Sequence, residues 1–454
     1  MNNMVSREHP PDTAQIAICG GGIVGLVLAL GLKERLGLTP EVFEAASEFA
    51  DDVGAGMGMY PNGLRVIRDI SPTLFESVRA AGHPYMYRRW ERHDGTEVAV
   101  ADENVLSDRD DSIQTIGIRR WRLQKVLFEA ACEAGIPIHF DKRTTSVESR
   151  QHDGLVEITF EDGSKRLAEI LFGADGSKSQ VRQSVAECGA KLEYTGVTCL
   201  MGISETPSQV RGISLPSSST SHCHGAFFPT GDKEQCFQFH FPIKSEDADE
   251  GNWGTLSDEV GKEECSKLVE QLRKDGWHEK YLEPLCNVNN AVRIGFCLLD
   301  KGLEKFVYGQ KSRIVLLGDA AHPPVPYIGQ GAQMGLEDAG VIISLLRELC
   351  CEDNGNGGTF SATNFGNAMK VYEKMRLPRT AEILQRGKAW GKSQQKRATN
   401  EKFNEVKEEL IQRDVFFHET MTHLCPGAKY DFKKDIAEVL ENEPVLLPLI
   451  EEDG

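Results

Sequence analysis

The chain is short of the features that would make it a membrane, secreted or nucleic-acid-binding protein. No apolar run reaches the roughly 18 residues that a bilayer crossing needs. The longest, Ile23 to Leu32, is broken by glycine and ends in Lys33, Glu34 and Arg35. Met1 to Pro11 is polar and has no signal-peptide core. Basic charge is in deficit: 51 Lys and Arg against 69 Asp and Glu give a formal net charge of -18. Such a charge is expected to repel nucleic acid and anionic lipid, though its better reading is plain solubility, and the local basic patch at Arg119, Arg120 and Arg122 can still receive an anionic cofactor. The 12 cysteines include no CxxC pair and no regular spacing, so no disulfide scaffold is expected. His222-Cys223-His224 has no partner ligands at useful spacing, and no metal is expected. What remains reads as a soluble, cytoplasmic protein of ordinary globular composition, 40% hydrophobic and 26% charged. Its 454 residues suit two intimately joined domains.

What is present begins with a strand, tight turn, helix, strand unit. Gln15 to Cys19 is a short apolar run, glycines follow at once, Ile23 to Leu36 has helical character, and Glu41 to Glu44 reads as a second strand. A further helix is expected over Trp121 to Ala134, and a hairpin over Leu155 to Phe172. From Tyr194 to about Val292 the chain changes to short alternating strands and Ser/Pro/Gly-rich turns. Cys236 to Phe241 alternates strictly, with Phe237, Phe239 and Phe241 on one face and Cys236, Gln238 and His240 on the other. That pattern suits an antiparallel sheet with one face against helices. A charged helix is expected at Ser257 to Leu272, a strand at Arg313 to Leu317, and helices at Gln333 to Cys350 and Phe365 to Gln385. Asp247 to Gly254 and Asp353 to Gly358 read as surface loops, and Lys388 to Gly454 as charge-rich and mostly helical.

Three segments carry chemistry. Gly20-Gly21-Gly22-Ile23-Val24-Gly25 fits GxGxxG after a strand and before a helix. Gly20 permits the turn, Gly22 lets backbone approach a pyrophosphate, and Gly25 lets helix and strand pack closely. Glu44, 19 residues beyond Gly25 at the end of the second strand, can accept hydrogen bonds from ribose hydroxyls. This dinucleotide signature does not by itself separate FAD from NAD. The second segment, Leu171 to Ser177, ends a strand in an Asp175-Gly176 turn that starts a helix. The third runs Gly318-Asp319-Ala320-Ala321-His322-Pro323, then Pro326, Gly329-Gln330-Gly331 and Glu337-Asp338-Ala339. Asp319 at a strand end can accept from a polyol, and the Gly329 to Gly331 turn sets backbone N–H groups and a helix N-terminus at one point, where an anion is stabilised.

These segments, in this order and spacing, resemble the signature of FAD-dependent aromatic hydroxylases related to salicylate and para-hydroxybenzoate hydroxylases. Gly54-Ala55-Gly56-Met57 with Pro61-Asn62-Gly63, Arg120-Trp121-Arg122-Leu123-Gln124, Tyr194-Thr195-Gly196, and Tyr372 with Arg376 and Arg379 resemble further family motifs. The likeness spans roughly residues 15 to 386, with one departure: Ala45 follows Glu44 where many relatives carry arginine.

The resemblance implies that Gly20, Gly22, Gly25 and Glu44 hold the ADP part of FAD, and that Arg120 and Gln124 contact the pyrophosphate and ribityl side. It assigns Asp175 and Gly176 to a motif linked to both FAD and NAD(P)H, Asp319 to the ribityl chain, and Pro326 and Gly329 to Ala332 (Gly331 among them) to the isoalloxazine. It gives His322 a loop-fixing role. It implies NADPH or NADH as co-substrate, a peroxide on the flavin ring formed with O2, and hydroxylation of a small phenolic or polyketide-like molecule. An oxidase or dehydrogenase on the same fold, and a non-catalytic carrier of related fold, are the alternatives. On the substrate side, His222, His224, Gln238 and His240 are the candidates, because an alternating strand can aim them at a pocket.

The expected architecture is α/β. A Rossmann-like FAD-binding domain comprises residues 1–82, 111–191 and 292–387. An inserted antiparallel β-sheet substrate domain comprises 83–110 and 192–291, and a helical C-terminal extension comprises 388–454. A homodimer is a candidate assembly.

Overall fold

The computed structural model describes residues 13–52, 54–103, 113–186, 189–243, 254–352, 359–413 and 429–442. The expected loop Asp353 to Gly358, and Asp247 to Gly254 apart from Gly254 itself, lie outside them.

The first apolar run becomes the strand Thr13–Cys19, buried over its last four residues. It pairs in parallel with Glu41–Phe43 on one side and Lys165–Gly173 on the other. Ile314–Leu316 and Ile138–His139 extend the parallel array on its two flanks. Strands buried on both faces need continuous apolar sequence, and Ile16 to Cys19, Ile170 to Phe172 and Ile314 to Leu317 supply it. The helix Ile23–Leu36 follows the glycine turn and stops at Gly37, whose left-handed φ of 69° lets its N–H return to the Leu32 and Lys33 carbonyls. It packs on the helix Gly331–Cys350 at glycines: a Cβ at Gly31 would lie 2.0 Å from Ile343, and one at Gly335 would lie 2.4 Å from Val24.

The second large sheet has eight strands in the order 254–255, 288–299, 192–204, 234–242, 223–231, 212–218, 87–92, 97–102. All neighbours are antiparallel except Gly212–Ser218 and Tyr87–Arg92, which run parallel. The strand Glu234–Pro242 shows the alternation read from its sequence. Phe237 and Phe239 pack with Leu268 and Leu272 of the helix Asp258–Lys274, Leu282 of the helix Glu279–Cys286 and Trp277 between the two, while Cys236 faces the opposite way, beside Tyr85 and Phe228. Burying each phenylalanine stabilises the fold by about 1.5–3 kcal/mol. A small third sheet, Gly56–Met59, Ile116–Arg119 and His83–Pro84, abuts this face; a Cβ at Gly56 would come within 2.7 Å of Cys236 and Thr230.

Two expected boundaries fall inside elements. The strand Val288–Leu299 belongs wholly to the second sheet, past residue 291. The helix Phe365–Thr399 runs unbroken past residue 387, because nothing after Gly387 stops it until Asn400. Beyond it, the helix Glu401–Arg413 buries Ile411 against Trp90, Val98 and Ala101, and Arg92 pairs with Glu408 at 2.7 Å. The helix Phe432–Asn442 sets Phe432 and Ile436 into the main core. Among the described residues, no helix is long and apolar enough to cross a membrane.

Candidate active site

The first turn is built by steric necessity. Gly20 has φ 104°, and a Cβ there would lie 2.4 Å from the Ala174 carbonyl oxygen; a Cβ at Gly25 would lie 2.0 Å from that of Gly20. Gly22 differs: its φ is an ordinary -71°, and a Cβ would meet no atom within 4 Å among the described residues. The glycine there keeps a space open beside the backbone. The helix that begins at Ile23 has no side-chain cap and no acid in its first turn, so its orphan N–H groups and positive dipole end are suited to an anion. Gln124 Nε2 donates to the Gly21 carbonyl at 3.1 Å, and exposed Arg120 reaches Gln124 Oε1 at 3.5 Å, which holds a cation beside the turn.

Two carboxylates expected to meet ligand also brace backbone. Glu44 Oε2 accepts from the Gly21 N–H at 2.8 Å and Oε1 from that of Ala46 at 2.9 Å. Asp175 accepts from Ser179 Oγ at 2.5 Å, and from the Gln180 and Val181 N–H groups at 2.7 and 3.1 Å, so it caps the short helix Gln180–Val185. Gly176, at φ 79°, makes the turn before it. Buried Arg182 ties this turn to the third segment, donating to the Ala320 carbonyl at 2.8 Å and to that of Ser177 at 2.6 Å.

The third segment folds into a short 3-10 turn, Gly318–Ala320, that leaves Asp319 exposed. Gly329, at φ 64°, turns the chain, and the helix Gly331–Cys350 starts without a side-chain cap or first-turn acid. Beneath lies a lattice of buried ions. Asp338 accepts from the Gly318 N–H at 2.8 Å and pairs with His322 Nε2 and Arg376 Nε, each at 2.6 Å. Glu337 pairs with Arg376 at 2.9 Å and Arg379 at 3.0 Å. Asn62 donates to Glu337 at 2.7 Å and to Gln330 Oε1 at 2.9 Å. Burial opposes ionisation of Asp338, but His322, Arg376 and the Gly318 amide hold its carboxyl below the ordinary range. His322 is thus a loop anchor, 2% exposed.

The third segment and the second sheet meet at one cavity of about 310 Å³, which Gly20, Gly22, Gly25, Glu44, Arg120, Gln124, Asp175 and Gly176 do not line. Asp319, Pro326, Gly329, Gly331 and Ala332 line one part, and His224, Gln238 and His240 of the second sheet line another. The His224 and His240 rings are stacked at 4.6 Å and 20°, and both lie beside Tyr327, at 5.8 and 5.7 Å. Burial pushes the His240 pKa down to about 4 and that of His224 well below its ordinary value, so both rings are neutral at pH 7. His222 is not part of the cavity. It sits in the turn between two strands with φ 52°, exposed, its Nδ1 at 3.1 Å from the Ala398 carbonyl.

The sequence reading missed Tyr60, Tyr85, Arg88, Tyr327, Trp390 and Gln394, all of which line the cavity. Trp390 and Gln394, four apart on one helical face next to Gly387 and Gly391, offered the clearest available signal. A Cβ at Gly391 would lie 2.4 Å from Tyr327 Cε2, so the bare helix surface seats that ring.

Two uncapped helix starts, a backbone space kept open by Gly22 and a cavity between cofactor-type loops and a sheet are what a dinucleotide with a planar ring requires. The family described as FAD binding domain matches residues 13–386. The chain is 28% identical over 395 residues to 3-amino-4-hydroxybenzoate 2-monooxygenase of Streptomyces cremeus, covering 85% of this chain and 87% of that protein. It is 28% identical over 381 residues to 6-hydroxynicotinate 3-monooxygenase of Bordetella bronchiseptica, covering 81% and 89%. Its fold matches that of Klebsiella pneumoniae HpxO complexed with FAD and uric acid, with a TM-score of 0.73 and 21% identity over 91% of this chain and 96% of that one. The chain therefore belongs to the FAD binding domain family, the one that holds the FAD-dependent aromatic hydroxylases.

Proposed function

We propose that this protein is an FAD-dependent monooxygenase that uses NAD(P)H and O2 to hydroxylate a small aromatic molecule. The observation that carries the reading is the shared cavity, where the Asp319 and Gly329 to Ala332 loops face His224, Gln238 and His240. The turn Gly20 to Gly25 with Arg120 would take the phosphates, Asp319 a ribityl hydroxyl, and the Gly331 helix start the ring. When bound, FAD supplies hydride acceptance from NAD(P)H and the activation of O2.

The chain's own residues do the rest. The N–H groups at Gly331 and Ala332, at a positive dipole end, stabilise negative charge arising in that part of the cavity. Met201, Ile213, Leu215 and Phe228 line it with apolar surface, which excludes water from the reacting centre. The neutral His224 ring has both nitrogens unpaired and His240 has Nδ1 unpaired, so between them they can donate to and accept from a hydroxyl on the substrate. The described cysteines are free, which supports the expected place in the reducing cytoplasm.

The test is turnover of the FAD-loaded protein under 18O2 with NADPH or NADH and a panel of phenols. Label in the product, with oxygen uptake matching NAD(P)H loss, supports the reading. Product without label favours an oxidase or dehydrogenase on the same fold.

A further inference from the structure

The described lining of the cavity offers no uncompensated positive charge to a substrate. Among the described residues, Arg88 and Asp319 are the charged side chains that line it, apart from the histidines. Arg88 is clamped by Glu103, with Nε to Oε2 at 3.2 Å and Nη2 to Oε1 at 3.0 Å, and its side chain and that of Glu103 are 5% and 2% exposed. Its Nη2 also donates to the Tyr60 hydroxyl at 3.2 Å. Arg397 stands near His224 but does not line the cavity, and its Nε donates to Asn404 at 3.1 Å. The remaining polar edge is the histidine pair. His224 is 5% and His240 6% exposed, and both nitrogens of His224 and Nδ1 of His240 lack a hydrogen-bond partner. Buried polar atoms left unpaired are costly, and a ligand group that satisfies them recovers that cost.

We propose that the cavity selects an uncharged hydroxyarene, one without a carboxylate, and seats its hydroxyl against the His224 and His240 rings. This deepens the monooxygenase reading and rests on it for the aromatic class. A carboxylate entering the cavity would lose its hydration beside a guanidinium already neutralised by Glu103 and two uncharged imidazoles, so nothing there compensates its burial. A phenolic hydroxyl, by contrast, donates to one imidazole nitrogen and accepts from another at no charge cost. The substrates named for the two bacterial relatives, a hydroxybenzoate and a hydroxynicotinate, both carry the carboxylate that this cavity does not match.

The experiment is a binding titration of the FAD-loaded protein, read as perturbation of the flavin absorbance rather than as turnover. The probes are matched pairs: catechol with 2,3-dihydroxybenzoate, resorcinol with 2,4-dihydroxybenzoate, and 1-naphthol with 1-hydroxy-2-naphthoate and 1-methoxynaphthalene. The neutral phenol of each pair binds at least about tenfold tighter than its acid, and 1-naphthol about tenfold tighter than its methyl ether. His224→Phe and His240→Phe abolish the preference over the ether and leave the preference over the acid. Glu103→Gln frees the Arg88 charge and moves the preference toward the acids; if that variant does not fold, the wild-type pairs decide alone. Acids that bind as tightly as the phenols, or no binding by any neutral phenol, overturn the proposal. Acids that bind and take up 18O sink it while the monooxygenase reading stands. Neutral phenols that bind but never take up label leave it standing while that reading falls.

Discussion

Arg376 and Asp338 meet at 2.6 Å with neither side chain exposed. Asp338 spends its other oxygen on the Gly318 amide and on His322, so this one pair ties the long helix to the loop that presents Asp319. Replacing Arg376 with methionine leaves Asp338 without its guanidinium and Glu337 with Arg379 as its one guanidinium among the described residues, and the expected loss is about 3–5 kcal/mol. Urea unfolding measures it. A variant within about 1 kcal/mol of the parent, on the scale of a surface pair, contradicts the buried-lattice account.

Gly22 and Gly25 separate ligand space from packing. Gly22→Ala has no atom to strike within 4 Å and an ordinary φ, so its apoprotein unfolds at the parent's midpoint while FAD affinity falls about tenfold or more. Gly25→Ala must push its Cβ against the Gly20 carbonyl, 2.0 Å away, and destabilises the apoprotein itself. Equal thermal midpoints for the two variants count against this division.

The stacked histidines give stability a pH signature. Burial holds both rings neutral, with His240 at about 4, against about 6.5 in an unfolded chain. The unfolded state therefore takes up protons first as pH falls. The stability tied to the neutral rings is complete above about pH 6.5 and is lost as pH drops from there through about 4, amounting to about 3 kcal/mol for His240. His240→Phe should flatten that part of the curve; an unchanged slope between pH 6.5 and 4 refutes the assignment.

The helix Glu401–Arg413 is a strap on its own chain. Ile411, with no exposed surface, packs on Trp90, Val98 and Ala101. Ile411→Ala should cost about 2–5 kcal/mol of stability and leave the sedimentation coefficient unchanged. A change of oligomeric state instead assigns this helix to association.

What could be read from the sequence was what short-range physics dictates. Gly22 and Gly37 bracket a helix at the bounds its pattern announces, and the alternation Cys236 to Phe241 sorts its two faces correctly. Asp175 was legible as a turn residue, but its duty as a helix cap depends on where Ser179 and Gln180 fall in three dimensions. Tyr60, Arg88 and Trp390 come from three distant stretches, and no local pattern announces that they meet. The parallel pairing of Gly212–Ser218 with Tyr87–Arg92 has the same origin, since a non-local strand partner leaves no periodic trace. The helix through residue 387 runs on to Thr399 because a helix without a stop signal does not end where a family's motifs end.

That uninterrupted helix fixes a register. It carries Arg376 and Arg379 under the cofactor-type loop and Trp390 and Gln394 at the cavity wall, and at 1.5 Å per residue the step from Arg376 to Trp390 is about 21 Å. One residue inserted between Arg379 and Gly387 would turn everything downstream by about 100°. Trp390 and Gln394 would swing off the cavity, and Gly391 would no longer be there to receive Tyr327. Substitutions at single positions can accumulate along this rod, but insertions and deletions within it cannot, and lineages that carry it should differ here in letters and never in length.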